Sequence, residues 1–183
     1  MDKGPILSAK QQGADATDGR WLVLPRTLCF IFNGNDVLLM KRGEHRRVFP
    51  GQYNGVGGHI ERDEDPLTSA RREILEETGL HVRDLRLRAV YNIDAGEQSG
   101  ILLFVFTAYS DQRDDLVECD EGTLHWLPLD GVLDYPLVED LPMILPRVQA
   151  LSPDAAPLFV HVSYDDADRM LMRFAAESDA ADT

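Results

Sequence analysis

Residues 58–80 read Gly58-His59-Ile60-Glu61-Arg62-Asp63-Glu64-Asp65-Pro66-Leu67-Thr68-Ser69-Ala70-Arg71-Arg72-Glu73-Ile74-Leu75-Glu76-Glu77-Thr78-Gly79-Leu80. Their second half predicts a helix over 65–78. Asp65 can cap the first turn, and Pro66 has the backbone angle a first helical residue needs. Gly79 suits the left-handed position that ends a helix. Leu67, Ala70 and Ile74 recur at helical spacing and predict the buried stripe. Glu73, Glu76 and Glu77 stand at i, i+3 and i+4, so they share an arc of roughly 100°. One face of the helix thus turns to a core while another gathers three carboxylates. Such like charges repel by a few tenths of a kcal/mol per pair. A solvated acidic face and a site for a hard, oxygen-seeking cation such as Mg²⁺ both fit this pattern. Just upstream, the glycines of Gly55 to Ile60 indicate close backbone approach rather than a packed strand.

Working outward, Trp21 to Phe32 is rich in Leu, Val, Phe and Ile and predicts a strand. The turn Asn33-Gly34-Asn35-Asp36 leads to a second strand over Val37 to Lys41. Polar residues from Arg42 to Asn54 predict a loop. Beyond the helix, strands are expected at Leu85 to Ile93, Gly100 to Tyr109 and Thr123 to Leu127. Leu85, Leu87, Ala89 and Tyr91 alternate with Arg86 and Arg88, which predicts one buried and one solvated face. The apolar run Ile101 to Ala108 predicts a central strand buried on both faces. Asp111 to Glu121 reads as an acidic loop. A second helix, irregular because of Pro142 and Pro146, is expected over Glu139 to Ala150. Leu158 to Tyr164 and Met170 to Phe174 predict a closing hairpin. The whole is an α+β domain, an α/β/α sandwich over 21–174, between flexible tails at 1–20 and 175–183.

The chain has 183 residues and 18 Lys and Arg against 32 Asp and Glu, a net charge of −14. That acidity excludes a protein that holds a nucleic-acid polymer by neutralising phosphates, and an anionic-membrane binder. No apolar run is long enough to span a bilayer. The polar N-terminus lacks the apolar core of a secretory signal, so the cytoplasm is the expected location. Cys29 and Cys119 have no metal-binding spacing and are expected to be reduced, buried thiols. The five histidines form no HxxH or HxxxH pair, so none is read as a zinc ligand. Trp21 and Trp126 are expected to pack in or at the edge of the core.

Residues 58–80 resemble the Nudix box, the signature of the Nudix hydrolase family. Gly58, Glu64, Arg72, Glu73, Ile74, Glu76, Glu77, Gly79 and Leu80 occupy its positions. With seven fixed residue types, a chance match at one start is on the order of 10⁻⁸. The resemblance implies a Nudix fold, a mixed sheet between helices. It implies a site for Mg²⁺, with Mn²⁺ as the alternative, held by Glu73, Glu76 and Glu77 and by the carbonyl of Gly57 or Gly58. Arg72 would orient those glutamates and Glu64 would support the loop. The implied reaction is hydrolysis of a diphosphate bond in a nucleoside diphosphate linked to a further group. A glutamate would take the proton from water, with Glu77 and Glu121 both open for that role.

Within the family, Asn54-Gly55-Val56-Gly57-Gly58 resembles the MutT-like branch acting on oxidised purine nucleoside triphosphates such as 8-oxo-dGTP. The resemblance makes Asn54 a contact to the purine edge, and a turn residue before glycine is the other reading. Glu121 corresponds to an additional metal-site carboxylate. Glu139 and Asp140 match two acids that read the base, although Leu137 or Val138 stands where that branch has a stacking aromatic. Capping of the second helix is the other reading of Asp140. Lys41 and Arg42 can meet substrate phosphates, as can Arg46 and Arg47, or they can be plain solvated bases. An ADP-ribose or nucleotide-sugar diphosphatase and a non-catalytic nucleotide sensor are the competing functions. The isomerase branch acting on isopentenyl diphosphate needs a cysteine near the glycines, and Gly51 to Ile60 has none. The expected partner is a small nucleotide, bound by a monomer or homodimer.

Seven acids stand against three bases in residues 61–77. Part of the negative charge is therefore local, and a cation bound there would recruit a phosphate.

Overall fold

In the computed structural model, Gly13 and residues 19–117 and 119–175 are described. Most of the expected tails at 1–20 and 175–183 lies outside those residues. The helix expected at 65–78 is α1 (Pro66–Thr78), with Asp65 at its N-cap. Asp65 Oδ1 accepts the N–H groups of Leu67 at 2.8 Å and Thr68 at 3.1 Å. Gly79 ends the helix at φ 74° and donates its N–H to Leu75. A side chain there would meet the left-handed penalty.

The strands are β1 (Leu22–Asn33), β2 (Asp36–Arg42), β3 (Tyr53–Asn54), β4 (Arg83–Ile93), β5 (Ser99–Tyr109), β6 (Gly122–Pro128), β7 (Leu158–Tyr164) and β8 (Met170–Phe174). They form one eight-stranded mixed sheet in the order β3-β2-β1-β5-β4-β7-β8, with β6 added on β2. The β1–β5 and β4–β7 pairs are parallel and the rest antiparallel. The second helix, α2 (Leu141–Ala150), starts two residues later than expected and runs through Pro146.

Two apolar layers flank the sheet. On one face, Cys29, Ile31, Leu38, Met40 and Val56 pack with Ala70 and Ile74 of α1. On the other, Leu28, Phe30, Leu39 and Tyr91 pack with Leu141, Ile144, Leu145 and Val148 of α2. The sheet therefore lies between helices, the expected α/β/α sandwich, and β5 runs through its middle. Trp126 packs at the edge of the α1 layer, and Trp21, 42% exposed, lays its ring over Gly100 in β5. Cys29 is buried and Cys119 only partly so, and both are free thiols.

Two expectations fail. Leu67 is 40% exposed, because the stripe that meets the sheet continues through Ala70 and Ile74 but frays in the first turn. The single alternation read across β4 is broken by a bulge between Leu87 and Ala89. One extra residue reverses the facing of all that follow. Leu85 and Leu87 thus join the α1 layer, while Ala89 and Tyr91 join the α2 layer. Arg88, expected in solvent, is buried at the bulge. Its Nε donates to Thr107 Oγ1 at 3.0 Å and its Nη1 to the Ser152 carbonyl at 2.9 Å.

Candidate active site

The glycine segment 55–59 lies against β1, bridging Cys29 to Val56 and Arg26 to His59. Gly57 has φ 143°, and a Cβ there would overlap the Thr27 carbonyl oxygen. This close approach brings the Gly57 N–H to Glu77 on α1, donating to Oε2 at 2.9 Å. The Gly58 carbonyl accepts the Thr27 N–H at 2.8 Å. Among the described residues, no hydrogen bond uses the Gly57 carbonyl. Of the two carbonyls that the sequence leaves open as ligands, Gly57 is thus the one with its oxygen to spare.

The helix displays its three carboxylates unequally. Side-chain exposure is 13% for Glu73 and 59% for Glu76, while Glu77 is buried. Burial pushes the Glu77 carboxyl up to about 7; the Gly57 N–H opposes this, and the nearby charges of Glu73 and Glu121 add to it. Glu73 is also raised, mainly by burial, against the pull of Arg72.

Arg72 organises this face. It grips Glu64 with two hydrogen bonds, Nη2 to Oε1 at 2.7 Å and Nε to Oε2 at 3.1 Å. Its Nη1 donates to Glu73 at 2.9 Å and to Glu76 at 3.0 Å. Its Nη2 also donates to the His59 carbonyl at 3.1 Å. One guanidinium thus ties the loop to the helix. Hydrogen bonds from Arg72 and from the Glu61 N–H hold Glu64 down at about 2, fully ionised at neutral pH. Arg72→Lys keeps the charge but loses the planar fork. It is expected to weaken Mg²⁺ affinity roughly 10- to 100-fold, as misoriented ligands do. Calorimetric titration of Mg²⁺ checks this, and an unchanged affinity would remove Arg72 from the orienting role.

Glu121, more than forty residues from α1 in sequence, lies close enough to raise Glu77. The β2–β6 ladder brings it there, ending at Arg42 opposite Gly122. Glu121 is held by Arg42 at 3.1 Å and Arg46 at 2.8 Å. Arg42 and Arg46 therefore stand at this site. Lys41 follows Leu39 in the alternation and falls on the opposite, α2 side of the sheet. Asn54 uses its side-chain oxygen to accept the Gly55 N–H at 2.9 Å.

Segment 136–138 runs beside Tyr53, which donates its N–H to Pro136 and accepts that of Val138. Glu139 and Asp140 follow directly, and Glu139 Oε1 accepts the Met170 N–H of β8 at 3.4 Å. Asp140 sits at the N-cap of α2 without a side-chain capping bond. Burial raises its carboxyl to about 6. No local pattern signals the Arg42–Glu121–Arg46 cluster, because its members meet only through strand pairing.

The donor set suits a hard divalent cation. Glu73, Glu76, Glu77 and the Gly57 carbonyl offer only oxygen. A Cβ at Gly58 would lie 2.5 Å from Glu73 Oε1, so the glycine makes room for that carboxylate. Among the described residues, Glu77 has no cationic hydrogen-bond partner, and its raised pKa reports the cost of that charge. Among the described residues, no three His, Cys, Asp or Glu side chains converge as a ready-made ligand set. Arg72 instead holds Glu73 and Glu76 in its own ion pairs.

The NUDIX domain family matches residues 22–148. The chain is 28% identical over 115 residues to the uncharacterized Nudix hydrolase YvcI of Bacillus subtilis, covering 61% of this chain and 70% of that protein. It is 32% identical over 108 residues to the oxidized purine nucleoside triphosphate hydrolase of Danio rerio, covering 58% and 67%. In structure it resembles the mutator MutT protein of Bacillus halodurans, with a TM-score of 0.69 and 26% identity over 83% of this chain and 97% of that one.

Proposed function

The chain belongs to the NUDIX domain family and is a hydrolase, and from that premise we propose that it is a divalent-cation-dependent diphosphatase of purine nucleoside triphosphates. Water and an oxidised purine triphosphate such as 8-oxo-dGTP give the monophosphate and pyrophosphate. The observation that carries this reading is the face of α1, where Arg72 orients Glu73 and Glu76 and the glycine segment meets Glu77. The likeness to the Danio rerio hydrolase and the MutT structure supports the choice of substrate.

When bound, Mg²⁺ or Mn²⁺ supplies Lewis acidity toward the phosphate oxygens and an acidified water. Glu73, Glu76, Glu77, Glu121 and the Gly57 carbonyl would hold it. Gly58 leaves the room that Glu73 occupies. The Glu77 carboxyl can take a proton at Oε1 while the Gly57 N–H orients Oε2. Glu121 is the second acceptor within the site. Arg42 and Arg46 carry the positive charge beside it that a triphosphate tail needs. Asn54 can face a purine edge with both a donor and an acceptor, and Lys41 would have to meet the substrate from the α2 side of the sheet. No helix among the described residues is long and apolar enough to cross a membrane. The two free thiols suit a reducing compartment, the cytoplasm.

A substrate panel with Mg²⁺ and with Mn²⁺ tests this reading. Stoichiometric pyrophosphate from 8-oxo-dGTP or dGTP is the expected product. Turnover confined to ADP-ribose or a nucleotide sugar, with no pyrophosphate, would overturn it.

A further inference from the structure

Helix α1 covers only part of its side of the sheet. Beyond it the strands continue in the order β5-β4-β7-β8, and register shows which side chains share that side. Phe104 of β5 belongs to the α1 layer and is paired with Val90 of β4, which is paired with Phe159 of β7. Leu102, Asn92, His161 and Arg173 form the next row on the same side, and Leu171 of β8 follows, paired with Ser163. Strands β4 and β7 are interior, yet none of their residues in these rows is buried. Phe159 is 58% exposed and Leu171 46%. A sheet face left to water is normally lined by polar residues. This one carries Leu102, Phe104, Val90, Phe159 and Leu171, a contiguous apolar patch of the kind that marks an interaction surface.

The course of the chain identifies what covers it. Trp21 lays its ring over Gly100, which alternates with Leu102 and Phe104 on this side of β5. The chain thus enters the domain across this face. Two residues earlier, Gly19 has φ 69°, a left-handed conformation that lets a chain change direction. Of residues 1–18 only Gly13 is described. That length reaches about 60 Å when extended, against the roughly 14 Å of three strand spacings from β5 to β8. It includes Pro5-Ile6-Leu7, an apolar run in an otherwise polar and small-residue stretch. We propose that residues 1–18 fold back over this face as a strap, with Ile6 and Leu7 seated on Phe159 and Leu171 and with Trp21 as the anchor. The partner of this surface is the chain's own first segment, and the proposal does not depend on the substrate.

A reporter thiol tests it in the full chain. Ser163→Cys places one in the middle of the face at nearly native volume. The native Cys29 is buried and Cys119 partly so, and peptide mass mapping separates their labels from that of the reporter. With Ile6 and Leu7 in place, the reporter is expected to react with a maleimide about tenfold more slowly than after Ile6→Ser and Leu7→Ser, the protection that covering one or two apolar side chains supports. Phe159→Ser with Leu171→Ser should speed the reaction as much, and all four changes together should speed it no further, because both pairs remove one contact. Equal rates with and without Ile6 and Leu7 would overturn the strap. So would a rate that falls as protein concentration rises whatever stands at 6 and 7, because a second copy of the chain then covers the face. Melting curves are taken alongside. If the sheet variant melts early, the Ile6→Ser and Leu7→Ser comparison alone decides.

Discussion

Glu77→Gln is expected to lower Mg²⁺-dependent turnover at least about a thousandfold while leaving the chain folded. The amide still accepts the Gly57 N–H but can neither carry charge to a cation nor take a proton. In the metal-free chain the same change should raise stability above neutral pH. The carboxyl's pKa rises from an ordinary 4.5 to about 7 on folding, chiefly through burial. The folded state then binds its proton more tightly than the unfolded state does. Stability is therefore highest below about 4.5 and falls as pH climbs through 7, by as much as about 3 kcal/mol at 1.36 kcal/mol per unit. The Gln variant lacks that slope. Melting the metal-free wild type and variant from pH 5 to 8 checks the sign. A wild type that gains stability over this range relative to the variant would refute the buried, uncompensated carboxylate. Asp140, raised to about 6, adds a slope of the same sign that remains in both proteins.

Gly57→Ala is expected to cost about 3–5 kcal/mol and to abolish activity with it. Two penalties combine. At φ 143° an L side chain is strained, and the new Cβ would overlap the Thr27 carbonyl, a backbone atom that cannot turn aside. Relief requires the glycine segment to lift off β1, which breaks the Gly57 N–H bond to Glu77 and the Thr27 bond to the Gly58 carbonyl. Denaturant unfolding measures the stability loss, and a turnover assay the rest. Wild-type values in both would show that the segment does not depend on this contact.

Helix α1 and its carboxylates are legible in the sequence because they depend on near neighbours along the chain. Asp65 caps residues two and three positions on, Gly79 ends the turn behind it, and Arg72 meets Glu73 and Glu76 along one helix. The glycine pattern likewise signals a close approach, though not that Thr27 is the backbone being approached. Other features have no local signature. Arg88 reads as a solvent-facing strand residue and is buried, because a bulge is a property of two strands rather than one. Leu67 fits the apolar stripe yet lies exposed. Glu121 has two readings in the sequence, a metal-site carboxylate by resemblance or one acid in an acidic loop, and the β2–β6 ladder sets it beside Arg42 and Arg46.

Short-range rules thus suffice for the sandwich class, the capped helix α1 and the chemistry of its oxygen donors. Periodicity and capping act over a few residues, and the box spacing is dense enough to be specific. Folding of the whole chain settles which carboxylate is buried, which glycine carbonyl stays free and which bases hold Glu121. Those facts arise from strand register and helix placement between residues far apart in the chain. A burial-driven pKa exists only once such distant surfaces have closed over it.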